Sequence, residues 1–314
     1  MLKRPGLLVA ATTAALAHEA LLLSRTEQPS ATEALRLLRA ELQRRAARDA
    51  ALPAKPEVAL ALASDVATIF CAAPSIAVAE AESAWLKRLL RAAQGAAQHT
   101  ASAGQPWRPL RALQLLWAAH EAGCLSDVPQ CVWATVHVQQ ASAEGWDWPR
   151  AATPAELSQL AQLPAEARKQ GVTAPQMPAA FAAELLAAIA AAAVEGQLDL
   201  SPELAALSLA VCKGAALPKR GGSQLFSAAA EALSAGQLSW VDTKACLQVF
   251  VSQERELPVG TVAAVLQRLQ KAAATGEGPD DGTAAQVGQA GRGEACRSSI
   301  ARGMLGCSSH SLCL

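Results

Sequence analysis

Two segments of the chain carry the same pair of landmarks at a spacing of 40 residues. Glu195-Gly196-Gln197-Leu198 leads to Leu217-Pro218, and Ala235-Gly236-Gln237-Leu238 leads to Leu257-Pro258. A third copy stands upstream. Gly123-Cys124-Leu125-Ser126-Asp127-Val128 matches Gly236-Gln237-Leu238-Ser239-Trp240-Val241 at four of six positions, and Val136, Val138 and Gln140 fall opposite Val249, Val251 and Gln253. Self-similarity at this period, with helix-forming residues between the landmarks, predicts helical hairpins that bury their apolar faces against one another. The 73 residues from Gly123 to Gly196 are close to two units, so a degenerate copy is expected between them, built on Leu157 and Leu160 and stopped by Leu163-Pro164.

The composition agrees with an array. Of 314 residues, 52% are hydrophobic but only 4% aromatic, with no tyrosine, and the apolar bulk is Ala and Leu, both strong helix formers. No stretch alternates apolar and polar residues long enough for a strand pair. The expected fold is therefore all-α: a right-handed α-solenoid of stacked antiparallel hairpins with a period of about 36–40 residues.

The order of elements follows from caps and breaks. Lys3 and Arg4 precede an apolar run from Leu7 to Ala17, so residues 1–29 read as a secretory or organellar targeting segment or as a plain first helix. Residues 30–105 hold N-terminal helices. A capping box at Ser30-Ala31-Thr32-Glu33 starts one, Pro56 starts the next, which stops before Pro74, and Ser75 opens a third. The repeat array occupies 106–274. There a helix from Pro109 ends at Gly123, its partner begins near Ser126, and Thr153-Pro154-Ala155-Glu156 forms a second capping box. Residues 275–314 are polar and glycine-rich and are expected to be a disordered tail. The longest uncharged apolar run, Leu185 to Val194, is too short to span a bilayer.

Catalytic and metal chemistry find little footing. His120, Cys124, Cys131 and His137 are zinc-ligand types, but His137 lies six residues beyond Cys131, roughly 9 Å along a helix, too far for one tetrahedral centre. The eight cysteines form no CxxC pair and read as free thiols of a reducing compartment. There is no nucleophile elbow, Walker loop or dinucleotide glycine pattern, so neither an enzyme, a cofactor nor a small-molecule substrate is expected.

Binding is the remaining class. Formal charge is zero, from 27 basic and 27 acidic residues, so any basic surface must be local. Its candidates are Lys87, Arg88, Arg91, Arg108, Arg111, Lys213, Lys219 and Arg220, which as phosphate contacts would form a track for single-stranded RNA. Trp117 and Trp133 fall on apolar helix faces and are assigned to the core. Trp146 and Trp148 are the candidates for stacking on a base or a partner. The competing assignment is a protein-interaction scaffold that holds a helix or peptide on its concave face.

Leu115-Leu116-Trp117-Ala118-Ala119-His120-Glu121-Ala122-Gly123 resembles the end of the first helix in the octotricopeptide repeats and in the related repeats that precede RAP domains. The period and the Leu-Pro pairs are similar too, over residues 107–272. This resemblance implies sequence-selective RNA binding in a chloroplast or mitochondrion, in transcript maturation, stability or translation. The chain departs from the pattern in keeping the Trp once and in carrying no RAP domain.

Overall fold

The computed structural model describes residues 12–24, 29–48, 52–73, 78–96, 109–137, 140–141, 147–213 and 215–275. Among them are twelve α-helices: α1 (Thr13–Ser24), α2 (Pro29–Ala47), α3 (Pro56–Ala72), α4 (Glu80–Ala92), α5 (Pro109–Glu121), α6 (Gln130–Val136), α7 (Pro154–Lys169), α8 (Ala179–Val194), α9 (Pro202–Val211), α10 (Gly222–Ala235), α11 (Trp240–Ser252) and α12 (Val259–Thr275). The only strands among the described residues, β1 (Gln140–Ala141) and β2 (Asp147–Trp148), pair antiparallel in a clip between α6 and α7. The described residues are otherwise all-helical.

The described residues fall into two compact units, those within 1–148 and 163–176, and those within 149–162 and 177–314. In the first, α3 packs against both α1 and α5, while α2 packs against α4. Helices therefore pair with the next but one as well as with their neighbours. The second unit repeats the rule, with α9 against α11, α10 against α12, and α9 against α10 across the two rows. Small residues allow this close approach. On α3 the buried stripe is Ala59, Leu60, Ala63, Val66, Ala67, Ile69 and Phe70, and α8 buries Phe181, Ala182, Leu185, Leu186 and Ile189. In the second unit Phe226 and Phe250 meet edge to face, with centroids 4.6 Å apart.

The three repeat glycines all lie between the helices of a hairpin and in the left-handed region, with φ of +64° at Gly123, +70° at Gly196 and +67° at Gly236. That conformation turns the next amide back onto the helix. Cys124 N donates to Ala119 O at 2.8 Å, and Gln197 N to Ala192 O at 2.9 Å, satisfying carbonyls the helix end leaves open. Glu254 closes α11 in the same way, at φ +52° and with Arg255 N donating to Phe250 O at 2.9 Å, without the freedom of glycine.

Several boundaries agree with the caps read from the sequence. Thr153 N donates to Glu156 Oε2 at 2.7 Å and Glu156 N to Thr153 Oγ1 at 3.3 Å, completing the second capping box. Two caps beyond those named above also form, Ser201 on α9 through Leu204 N and Ser239 on α11 through Asp242 N. Pro56 is the first residue of α3, which ends at Ala72.

Others differ. Helix α2 begins at Pro29, so Ser30 lies inside it and the expected box does not cap it; Glu33 faces Arg36 instead. The partner of α5 starts at Gln130 rather than Ser126, because Leu125–Asp127 form a 3₁₀ turn and Pro129 is the residue that precedes the helix. Leu163-Pro164 is not a stop. Helix α7 runs through Pro164 to Lys169 and is closed by Gly171, at φ +72°, with Val172 N donating to Ala167 O at 2.9 Å. A proline removes one helix hydrogen bond, and here the burial of Leu157, Leu160, Leu163 and Ala167 along the same helix offsets it.

The helix expected from Ser75 begins, within the described residues, at Glu80. Residues 13–24 of the N-terminal segment form α1, whose Leu16, Ala17 and Ala20 are buried; residues 1–11 and the tail from 276 lie outside the described residues. Among the described residues, no helix is long and apolar enough to cross a membrane.

Candidate nucleic-acid interface

Cations that read alike in the sequence separate into two kinds. Arg91, near the end of α4, places Nε 3.0 Å from Asp127 Oδ1 in the 3₁₀ turn, while Gln94 Nε2 donates to Asp127 O at 2.7 Å. Arg111, on α5, stands 3.3 Å from Asp65 on α3. Burial raises the pKa of Asp65, and the Arg111 charge and hydrogen bond act against that rise. Both arginines tie one segment to another through an ion pair, Arg91 with its side chain still 62% exposed and Arg111 at 37%. Arg88 is exposed, and Lys87 beside it is half-buried.

The cations of the second unit stand differently. Lys213, Lys219 and Arg220 are all exposed, and all lie in the connection between α9 and α10. Arg108 and Trp146 lie outside the described residues. These three exposed side chains are the candidate cations that share one connection between helices.

Neither aromatic assignment survives unchanged. Trp148 is buried and donates from Nε1 to Val136 O at 3.0 Å, so it locks the β-clip onto α6 and has no ring face for a base. Trp133 is core. Trp117 is not: it is only half-buried and packs on His120, with ring centroids 5.1 Å apart. It stands on the flank of α5 that its neighbours leave partly open. Trp240, passed over in the sequence, is also half-buried, with Arg268 of α12 stacked 4.1 Å from its ring. Arg268 Nη2 also donates to Leu238 O at 2.6 Å, fastening α12 to the hairpin turn.

The zinc-type residues are dispersed into separate local roles. Gln170 Nε2 lies 3.1 Å from His120 Nδ1 and donates to His120 O at 2.9 Å, while Gln170 Oε1 accepts from Leu125 N at 3.4 Å. Cys124 is buried, and its thiol is pushed up to about 11, chiefly by that burial. Among the described residues no three His, Cys, Asp or Glu side chains gather closely enough to hold a metal ion.

His137 ends α6, and burial lowers its pKa to about 4 from an ordinary 6.5. The sign of the consequence follows. Between about pH 6.5 and 4 the unfolded chain takes up a proton that the folded chain refuses, so stability held above pH 6.5 is lost as pH falls. Urea midpoints at pH 7 and pH 5 should therefore differ less in His137→Gln than in the wild type; equal differences would mean that the imidazole is not sequestered.

No family model, curated protein or solved structure matches the chain.

Proposed function

We propose that the chain is an α-solenoid whose stacked hairpins bind single-stranded RNA in an organelle, and that it carries no catalytic chemistry of its own. The observation that carries this reading is the exposed trio Lys213, Lys219 and Arg220 in the connection between two hairpins. A turn between repeats recurs along such an array, and a phosphate backbone laid across the turns meets cations at intervals that unstacked nucleotides can match. Packing of helices on the next but one, α1–α3, α2–α4 and α3–α5 in the first unit and α9–α11 and α10–α12 in the second, supports the solenoid, and the resemblance around Leu115–Gly123 to octotricopeptide repeats supports the ligand and the compartment.

The test is anisotropy of a labelled single-stranded RNA between 50 and 200 mM salt. Counterion release gives log K against log salt a slope of about −0.7 for each phosphate neutralised. Replacing Lys213, Lys219 and Arg220 by alanine should weaken every RNA alike and flatten that slope by about 1–2. Altered sequence preference at an unchanged slope would mean that these residues read bases and do not hold phosphates. The trio is a cleaner target than Lys87, Arg88 and Arg91, because Arg91 also fastens the turn at Asp127.

One observation favours a protein-binding scaffold instead. Arg39, Arg44, Arg45, Arg91, Arg111 and Arg150 all pair with carboxylates of this chain, leaving less positive field than their number suggests. Absence of measurable RNA binding at 50 mM salt would establish that reading over the first.

A further inference from the structure

Arginine three residues before a hydroxyl amino acid occurs twice in the chain, as Arg150-Ala151-Ala152-Thr153 and as Arg220-Gly221-Gly222-Ser223. The structure sets the two apart. At the first, Arg150 is bidentate to Glu184, with Nη2 2.8 Å from Oε1, and Thr153 Oγ1 accepts from Glu156 N as the cap of α7. Proline follows the hydroxyl. Both groups that a modifying enzyme would need are engaged. At the second, Lys219, Arg220 and Ser223 are all exposed.

We propose that Ser223 is a phosphorylation site for a protein kinase that selects basic residues upstream of its acceptor, and that the added charge closes the Lys219–Arg220 surface to RNA. Such a kinase recognises its substrate as an extended segment, with carboxylates placed for guanidinium and ammonium groups three and four residues before the acceptor. Meeting that need requires the first turn of α10 to open and Gly221 to leave its close approach to Ala190 and Val194 of α8. Residues 215–221 are already outside any helix, and Gly221 and Gly222 are poor helix formers. Helix α10 has no side-chain cap, so the contact to open first is Leu225 N to Gly221 O, at 3.2 Å. Local opening of one uncapped turn is the low-energy end of a protein's fluctuations.

In the reaction Ser223 Oγ attacks the γ-phosphorus of ATP, the bond from that phosphorus to the β,γ-bridging oxygen breaks, and ADP leaves. The hydroxyl proton passes to the kinase's catalytic carboxylate. The product carries about −1.5 to −2 charge at pH 7. Placed three and four residues after Arg220 and Lys219, it offsets their positive charge and repels a phosphate backbone. This effect on RNA rests on the function proposed above; the modification itself does not.

The test incubates the full chain with ATP and the catalytic subunit of a cyclic-AMP-dependent protein kinase, and maps phosphate by mass spectrometry. Expected are one phosphate per chain at Ser223, none there in Ser223→Ala, none at Thr153, and a rate slowed at least about tenfold in Arg220→Ala by loss of a charge-assisted contact. Label at Thr153 with none at Ser223 would overturn the proposal. So would a folded chain that stays unlabelled while a synthetic peptide of residues 217–227 is labelled. RNA binding is then measured on both forms. An unlabelled Ser223 in a chain that binds RNA defeats this inference and leaves the function standing. Labelled Ser223 in a chain that never binds RNA confirms the site but overturns its effect, together with that function. Labelled Ser223 with RNA affinity unchanged defeats only the claim that this surface closes.

Discussion

Replacing Glu82 by alanine is expected to lower the unfolding free energy of the first unit by about 3–5 kcal/mol, because it leaves a buried guanidinium without its counter-ion. Arg39 on α2 and Glu82 on α4 are 1% and 0% exposed. Nη2 donates to Oε2 at 3.0 Å, Nε stands 2.8 Å from Oε1, and the guanidinium lies 4.0 Å above the ring of Phe70 on α3. Glu82 also accepts from Ala79 N at 2.8 Å, which makes it both counter-ion and cap of its own helix. The pair therefore fixes how three helices meet. Desolvating two charges makes the net value of such a pair small, so Arg39→Met with Glu82→Leu should recover most of the stability that either single change removes. Urea denaturation of the wild type, Arg39→Met, Glu82→Leu and the double variant forms the cycle, with Glu82→Ala measured beside it. A loss below about 1 kcal/mol in the single variants would show that water reaches the pair.

Gly221→Ala should be nearly as damaging, at about 2–4 kcal/mol, from the sum of left-handed strain and overpacking. Its φ is +77°, and a Cβ there would meet Ala190 O at 2.9 Å, Ala190 Cβ at 3.0 Å and Val194 Cγ2 at 3.1 Å. Two of these atoms belong to the backbone and first side-chain carbon of α8, so they yield only if the helix shifts. Gly123→Ala is the control. It has the same kind of backbone, φ +64°, with nothing within 4 Å of the added carbon, and should cost only the strain, about 1–2 kcal/mol. Equal thermal shifts in the two variants would mean that the connection before α10 is looser than its contacts imply.

The fold was readable where a local rule decides it. Glycine at a helix end, serine before a helix and proline at its first residue act within a few residues, and Gly123, Gly196, Ser201, Ser239 and Pro56 all behave accordingly. The failures came where tertiary burial overrode such a rule. Pro164 reads as a stop, yet the apolar residues around it keep α7 intact. The candidate site was less legible, since whether a basic residue is open depends on an acid far along the chain, 36 residues for Arg91 and 46 for Arg111. One signal did exist: Asp65 sits within the apolar run of α3, where a carboxylate requires a partner. For Trp148 there was none, because the carbonyl it serves belongs to a helix end twelve residues earlier.

Packing of helices on their neighbours and on the next but one within the first unit also bears on how the chain is made. Every principal contact within the first five helices joins segments close in sequence, and such low contact order favours rapid folding. Helices α1, α2 and α3 have one another as partners once Ala72 has been synthesised. The ribosome then still has most of the protein to produce, and a chain growing at about 5–20 residues per second leaves seconds for that first trio to assemble. Helices α4 and α5 then meet a surface that is already folded, so this part of the chain can hide its alanine and leucine stripes in the order in which they appear.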